Sequence, residues 1–258
     1  MTSIDRLLRR KAILALAVGG ALIGGGAMAA PGAAGTPATG TIASGAGPGW
    51  PATISAGEFV PRVTNPWFPL KPGSVWRYKG LKEGTKTTDT VTATQRTRKI
   101  RGVTTTVVHD VVSVGGKPEE VTDDFYAQDR HGNVWYFGEE TEELNAKGEP
   151  TSTEGSFEAG VGGARPGVLI PGRPRVGLVG RQEFLKGEAE DHFKVLDLKA
   201  SVSVPFVSTQ QALRTKEWTP LEPGTIDNKY YVRGVGTVRE IAVKGPVEKL
   251  ELVSFKAG

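Results

Sequence analysis

From residue 74 onward the chain is written in runs rich in Val, Thr, Tyr, Phe and Trp, cut by glycine pairs and glycine-containing turns. β-Branched and aromatic side chains suit the pleated, half-buried surface of a strand, and glycine supplies the positive φ that tight turns need. Residues 74–81 and 86–100 therefore predict two strands. Arg101-Gly102 turns into 103–114, Gly115-Gly116 turns into 119–129, and Arg130-His131-Gly132-Asn133 turns into 134–142. Strands joined by such short turns pair antiparallel, which makes this stretch a meander. Later, Leu196, Leu198, Ala200, Val202 and Val204 alternate with Asp197, Lys199, Ser201 and Ser203. That period of two gives one apolar and one polar face. Residues 209–218, 226–233, 236–244 and 247–255 continue the pattern, and no segment keeps a convincing helical period over three turns, 183–199 being the nearest to one. Nine or ten strands in sequence predict an all-β fold, an antiparallel meander forming a curved sheet or a partly open β-barrel.

Residues 145–180 interrupt the meander with nine glycines and four prolines, yet Phe157, Val161, Val168, Leu169 and Ile170 lie among them. Loops this long in a compact domain are usually functional, and the apolar residues require something to pack against. The stretch is expected to be a long strap, either closing one end of the barrel or covering a ligand cavity.

The N-terminal part reads as an address. Arg6, Arg9, Arg10 and Lys11 precede an apolar run over 12–23, and Ala27-Met28-Ala29 offers a small-residue cleavage signature. The run is shorter than the roughly 20 residues of a membrane-spanning helix, so 1–29 predicts a cleaved export signal. Arg9-Arg10 leaves the general and twin-arginine routes both open. Every residue from 30 to 49 except Ile42 is Ala, Gly, Pro, Ser or Thr, the composition of a flexible linker. A single β domain over 50–258 is expected, secreted into the periplasm or cell envelope after cleavage near Ala29. The signal holds four basic residues and Asp5, so most of the formal charge of +4 leaves with it. A nearly balanced mature chain gives no electrostatic case for nucleic acid. Without cysteine there are no disulfides, thiolate metal sites or cysteine nucleophile.

The hairpin around His131-Gly132 carries the sharpest site prediction. Its turn sets cross-strand partners whose numbers sum to 263, so Asp124 faces Glu139 and Asp123 faces Glu140. Like charges directly opposite each other are destabilising, and Glu119, Glu120, Glu142 and Glu143 enlarge the acidic end. Three neutralisers are open. A hard cation such as Ca²⁺ would take Asp123, Asp124, Glu139 and Glu140 as oxygen ligands. A proton shared between close carboxylates would suit acid/base chemistry. Alternatively Arg96, Arg98, Lys99 and Arg101, two strands away, balance the charge. The same register places Trp135 and Phe137 on a face with Tyr126 and Gln128. In an open barrel Tyr126, Trp135 and Phe137, with Tyr230 and Tyr231, either fill the core or line an apolar ligand cavity.

Other constellations are thinner. Glu188, Glu190 and His192 share a face if the segment is a strand and could bind Zn²⁺ or Mn²⁺, but no distant fourth ligand accompanies them. His109 lies in a strand and His131 in a turn, positions that suit structural roles. No nucleophile elbow or Walker motif is present, and Arg165 stands where a dinucleotide fingerprint needs its third glycine.

Several segments together are familiar: Asn65-Pro66-Trp67-Phe68-Pro69-Leu70-Lys71-Pro72-Gly73, the DRHGNVWYFGE run over 129–139, the AGVGGA run over 159–164, Glu222-Pro223-Gly224, and KYYVRGVG over 229–236. They resemble the pattern of an uncharacterised family of exported bacterial proteins, over most of residues 59–252. The Tyr-Tyr and Gly-Val-Gly portion also looks like envelope proteins with an open β-barrel of the lipoprotein-carrier type, although Val204-Pro205-Phe206-Val207 lacks the small residues expected after that proline. The resemblance brings no activity with it. The export signature, the all-β pattern, the aromatic strand faces and the long Gly/Pro-rich segment lead to the expectation of an exported, monomeric, non-catalytic binding protein holding a lipid or other apolar or amphiphilic molecule. A metal- or carboxylate-dependent envelope hydrolase or lyase and a surface interaction protein are the alternatives.

Overall fold

The valine- and threonine-rich runs form the wall of a barrel in the computed structural model, which describes residues 54–258. The segments expected to be an export signal, 1–29, and a linker, 30–49, lie outside the described residues. After one 3₁₀ turn, Ala56–Glu58, come β1 (Phe59–Val60), β2 (Val75–Lys82), β3 (Thr85–Ile100), β4 (Val103–Val114), β5 (Lys117–Asp129) and β6 (Val134–Leu144). The strap region contributes β7 (Pro150–Ser152), β8 (Phe157–Glu158), β9 (Arg165–Ile170), β10 (Val179–Arg181) and β11 (Glu183–Phe184). The second meander is β12 (His192–Ser203), β13 (Ser208–Trp218), β14 (Ile226–Val232), β15 (Gly236–Lys244) and β16 (Glu248–Lys256). No α-helix occurs among the described residues.

The two meanders are stitched at β16 and β2, and the order around the wall is β10-β12-β13-β14-β15-β16-β2-β3-β4-β5-β6-β9-β11, antiparallel throughout. One stretch of chain serves both free edges. Its first half, β10, pairs with β12, and its second half, β11, pairs with β9. The backbone passes so close to Gly167 of β9 that a Cβ there would lie 2.4 Å from the Arg181 carbonyl oxygen. The barrel is thus nearly closed, with one unsealed seam between β9 and β10. The strap predicted over 145–180 is therefore partly wall: four short strands occur between Pro150 and Arg181. Its apolar residues Val168, Leu169 and Ile170 belong to β9 and are buried.

Alternation assigns every strand an inner face, and those faces change character along the barrel axis. At the end of the β5–β6 and β14–β15 turns the interior is apolar, packed by Tyr126, Tyr136, Leu213 and Leu252. The segment before β2 plugs this end. Trp67 and Leu70 are buried in the same cluster, and Gly234 N–H donates to the Pro66 carbonyl. Toward the β2–β3 and β4–β5 turns the inward residues become Asp89, Asp110, Glu120, Thr122, Glu217 and Glu240, all buried. A second, smaller core lies on the other face of the wall, where Ile54 and Phe59 pack over Ile100, Phe125, Trp135 and Phe137.

Candidate functional site

The acidic hairpin forms with the predicted partners: Asp124 opposite Glu139 and Asp123 opposite Glu140. Strand alternation then sends the two pairs to different faces. The outward pair is balanced by arginines of β3. Arg96 donates to both Asp123 oxygens at 2.6 and 2.7 Å, and Arg98 donates to Glu140 and, at 2.5 Å, to Glu158. Partial burial would raise the Asp123 carboxyl, but Arg96 and His109, the latter 2.8 Å away, hold it below its ordinary range. The inward pair is fully enclosed. Asp124 accepts from the Tyr136 hydroxyl at 2.7 Å and Glu139 from the Thr141 hydroxyl at 3.1 Å. Burial first, then neighbouring carboxylates, push both well above the usual carboxylate range. The four acids are thus split between two faces, and no group of three or more potential ligands capable of holding a metal ion occurs among the described residues.

One residue further along, the register slips. A bulge between the Phe125 and Tyr126 pairings leaves Tyr126 opposite Tyr136 and Ala127 opposite Trp135. An extra residue in one strand reverses the facing of the residues beyond it. Tyr126 consequently stacks on Tyr136 inside the barrel, at 4.9 Å between centroids, and does not share a face with Trp135 and Phe137. Those two point to the outer core, edge-on to Phe59 at 6.1 and 5.3 Å. Tyr231 faces inward and donates to Glu217 at 3.0 Å, while Tyr230 faces outward beneath the Arg239 guanidinium. Of the five aromatic candidates, Tyr126 borders a cleft in the barrel.

That space is a cleft of about 30 Å³ at the apolar end. Phe68, Pro69 and Leu70 of the plug form one side, and Trp76, Val91, Val108 and Tyr126 of the wall the other. Its floor is Asp110 and Asp124. Asp110 is buried, and its side-chain hydrogen-bond partner is the neighbouring Asp89 carboxyl, so the two acids hold a proton between them; Asp124 Oδ2 has no partner. Asp89, adjacent on β3, is also buried, with no other side-chain partner than Asp110. Burial raises Asp110, and burial together with the charge of Asp110 raises Asp89 well above the ordinary value. From the lip of the cleft an aromatic ladder climbs outward: Trp76 stacks on Phe255 at 5.2 Å, and Phe255 meets the partly exposed Phe206 edge-on at 6.2 Å.

The remaining interior charge is organised around two lysines. Lys229 lies 3.3 Å from Glu217 and 3.4 Å from Glu240, and Lys82 lies 2.9 Å from Glu119. Burial alone would lower the Lys229 ammonium, but Glu217, Glu240 and Asp227 hold it above its ordinary value. Glu188, Glu190 and His192 are not brought onto one strand face. Leu185 pairs with Ala189, putting Glu188 in a turn, Glu190 accepts from Gly187 N–H, and His192 stacks on Trp218.

Asp89 and Asp110 are not among the candidates that the sequence suggests. Their signal lies in the period of two: Asp110 stands between Val108 and Val112, one acid on an otherwise apolar strand face. Phe68 and Trp76 escape a sequence reading because a plug contacts the barrel through residues distant in sequence.

In architecture the chain is similar to two crystal structures of bacterial proteins. One, from Bacteroides fragilis, is assigned as an exported protein with a YmcC-like fold (13% identity, TM-score 0.44, covering 74% of this chain and 98% of that one). The other, from Parabacteroides distasonis, is assigned as a lipoprotein (12% identity, TM-score 0.42, covering 74% of this chain and 98% of that one). No family model matches the chain, and no curated protein matches it in sequence.

Proposed function

We propose that this is an exported, non-catalytic binding protein whose barrel takes an amphiphilic ligand by its head, and that the head is a positively charged nitrogen. Export rests on the basic, apolar and small-residue succession of residues 1–29 and on the uncharged linker behind it. The single observation that carries the binding reading is Asp110: a buried carboxyl at the floor of an apolar cleft that no basic side chain neutralises and that meets only another raised carboxyl, Asp89. A buried polar group without a partner costs about 1–3 kcal/mol. An ammonium donates to such oxygens, and its charge compensates theirs. The filled centre of the barrel limits what fits. About 30 Å³ accommodates a head group, not a whole lipid, and the body of the ligand would lie along Trp76, Phe255 and Phe206.

Calorimetric titration with dodecylammonium, dodecanol and dodecanoate tests this reading. Dodecylammonium is expected to bind, and to bind more tightly as pH rises, because Asp110 and its neighbours must give up protons to receive the cation. Asp110→Asn should weaken it by about tenfold or more, equivalent to losing one charge-assisted hydrogen bond. Equal binding of all three probes, or no effect of Asp110→Asn, would sink the assignment of a cationic head.

A further inference from the structure

A second concavity, independent of the barrel interior, lies where the β5–β6 turn meets the segment after β9. It measures about 370 Å³ and is lined by Arg130, His131, Asn133, Pro171, Arg173, Arg175 and Leu178. Small-molecule sites begin at roughly this size. Three guanidinium groups and an imidazole face one space, and no carboxylate lines it. Arg173 and Arg175 are exposed, and their guanidinium groups make no hydrogen bond or ion pair among the described residues, the Arg175 backbone carbonyl alone accepting from Leu178 N–H. The Arg130 Nε donates to the Gly57 carbonyl at 3.0 Å, which orients the side chain and leaves its charge uncompensated.

The frame behind these groups is fixed. The Asp129 carboxylate accepts from His131 N–H, Asn133 N–H, the Asn133 amide and the Trp135 indole, at 2.7 to 2.9 Å. That acid is spent on shaping the turn. The Asn133 side-chain oxygen accepts from Gly172 N–H at 2.8 Å, and Asn65 Nδ2 donates to the Gly132 carbonyl at 2.8 Å, clamping turn and segment together. The contact is so close that a Cβ on Gly172 would lie 2.2 Å from the His131 carbonyl oxygen.

We infer that this cleft binds a phosphate group. Planar guanidinium forks match the oxygens of phosphate bidentately, and three of them on a rigid frame supply donors and charge together. The phosphate could belong to a free phosphate or small phosphoester, or to the headgroup of an anionic phospholipid. The recognition chemistry is the same for both.

The test uses the full chain, its Arg173→Gln/Arg175→Gln variant, and a control variant, Lys86→Gln/Lys147→Gln, that removes two exposed positive charges at the other end of the barrel. Inorganic phosphate is titrated calorimetrically at constant ionic strength, and phosphatidylglycerol and phosphatidylcholine vesicles are co-sedimented with each protein. Both lost arginines are exposed, so thermal unfolding should be unchanged in the variant. Saturable phosphate binding that weakens about tenfold or more in the arginine variant and not in the control supports a free phosphate as ligand. Phosphatidylglycerol binding lost in the arginine variant alone, without phosphate binding, supports a lipid headgroup. No saturable binding of either probe, or equal binding by wild type and the arginine variant, overturns the inference.

Discussion

Lys229 shows what a single residue does in this interior. It is 5% exposed, and its ammonium lies between Glu217 and Glu240, with the Tyr231 and Thr215 hydroxyls donating to Glu217 at 3.0 and 2.7 Å. The ammonium tolerates burial because carboxyls flank it on two sides. Removing one partner of a buried pair typically costs about 3–5 kcal/mol, since the remaining charge stays in low dielectric. Lys229→Met should therefore lose about that much in urea unfolding at pH ~8, and less at pH ~5, where Glu240, raised by burial, holds a proton instead. Combining it with Glu217→Gln and Glu240→Gln should recover most of the loss. If the single variant unfolds at the wild-type midpoint, the ion pairs contribute nothing and the network is not held by its lysine.

At the scale of elements, the β5–β6 hairpin explains how far a sequence reading reaches. Boundaries and order follow from turn chemistry and alternation: the strand expected at 103–114 is observed as Val103–Val114, and the pairing sum of 263 holds for Asp124 with Glu139 and Asp123 with Glu140. It fails at Tyr126 because Phe137 is an extra residue in the wall. Nothing local in Trp135-Tyr136-Phe137-Gly138 announces a bulge beyond one glycine, and a one-residue slip changes every face after it. The pairing of the acidic hairpin is therefore legible in the sequence, whereas Asp110 is not among its candidates and Trp135 and Phe137 fall on the other face from Tyr126. The cleft itself is not legible, because it requires the plug, β2, β4 and β5 to meet. Gly138 is what the bulge depends on. Its φ is +145°, and a Cβ there would lie 2.2 Å from the Phe157 carbonyl oxygen, where β8 pairs against β6. Gly138→Ala is expected to destabilise by about 1–3 kcal/mol and to speed amide hydrogen exchange in β8. Unchanged exchange at Phe157 and Glu158 would show that the bulge tolerates a side chain.

Over the whole molecule, the barrel is an object with one apolar end and one acidic end, and that polarity fixes its response to pH. Burial, the first cause in each case, raises Glu120 to about 8, Asp191 and Glu248 to about 7, and Asp227 to about 6. Unfolded carboxyls release their protons near pH ~4, so between that pH and ~8 the folded state holds more protons than the unfolded. Stability from these groups is complete below the unfolded values and is lost as pH rises through the folded ones. Asp123 and Glu251 have the opposite sign: held low by arginine, histidine or lysine neighbours despite partial burial, they contribute above the unfolded value and lose it in acid. The interior groups are the more deeply buried, so their direction wins. The melting temperature should fall between pH ~5 and ~8, by on the order of 10 °C if the interior carboxyls together lose a few kcal/mol. Glu120→Gln should flatten that slope without lowering the melting temperature at pH ~5, because an amide there mimics the protonated acid. A bound cationic head would flatten it as well, since the charge that the barrel lacks at high pH is then supplied by the ligand. A melting temperature that climbs over the same interval would mean that these carboxyls are ionised and solvated in the folded protein, and that the acidic half of the barrel is open to water.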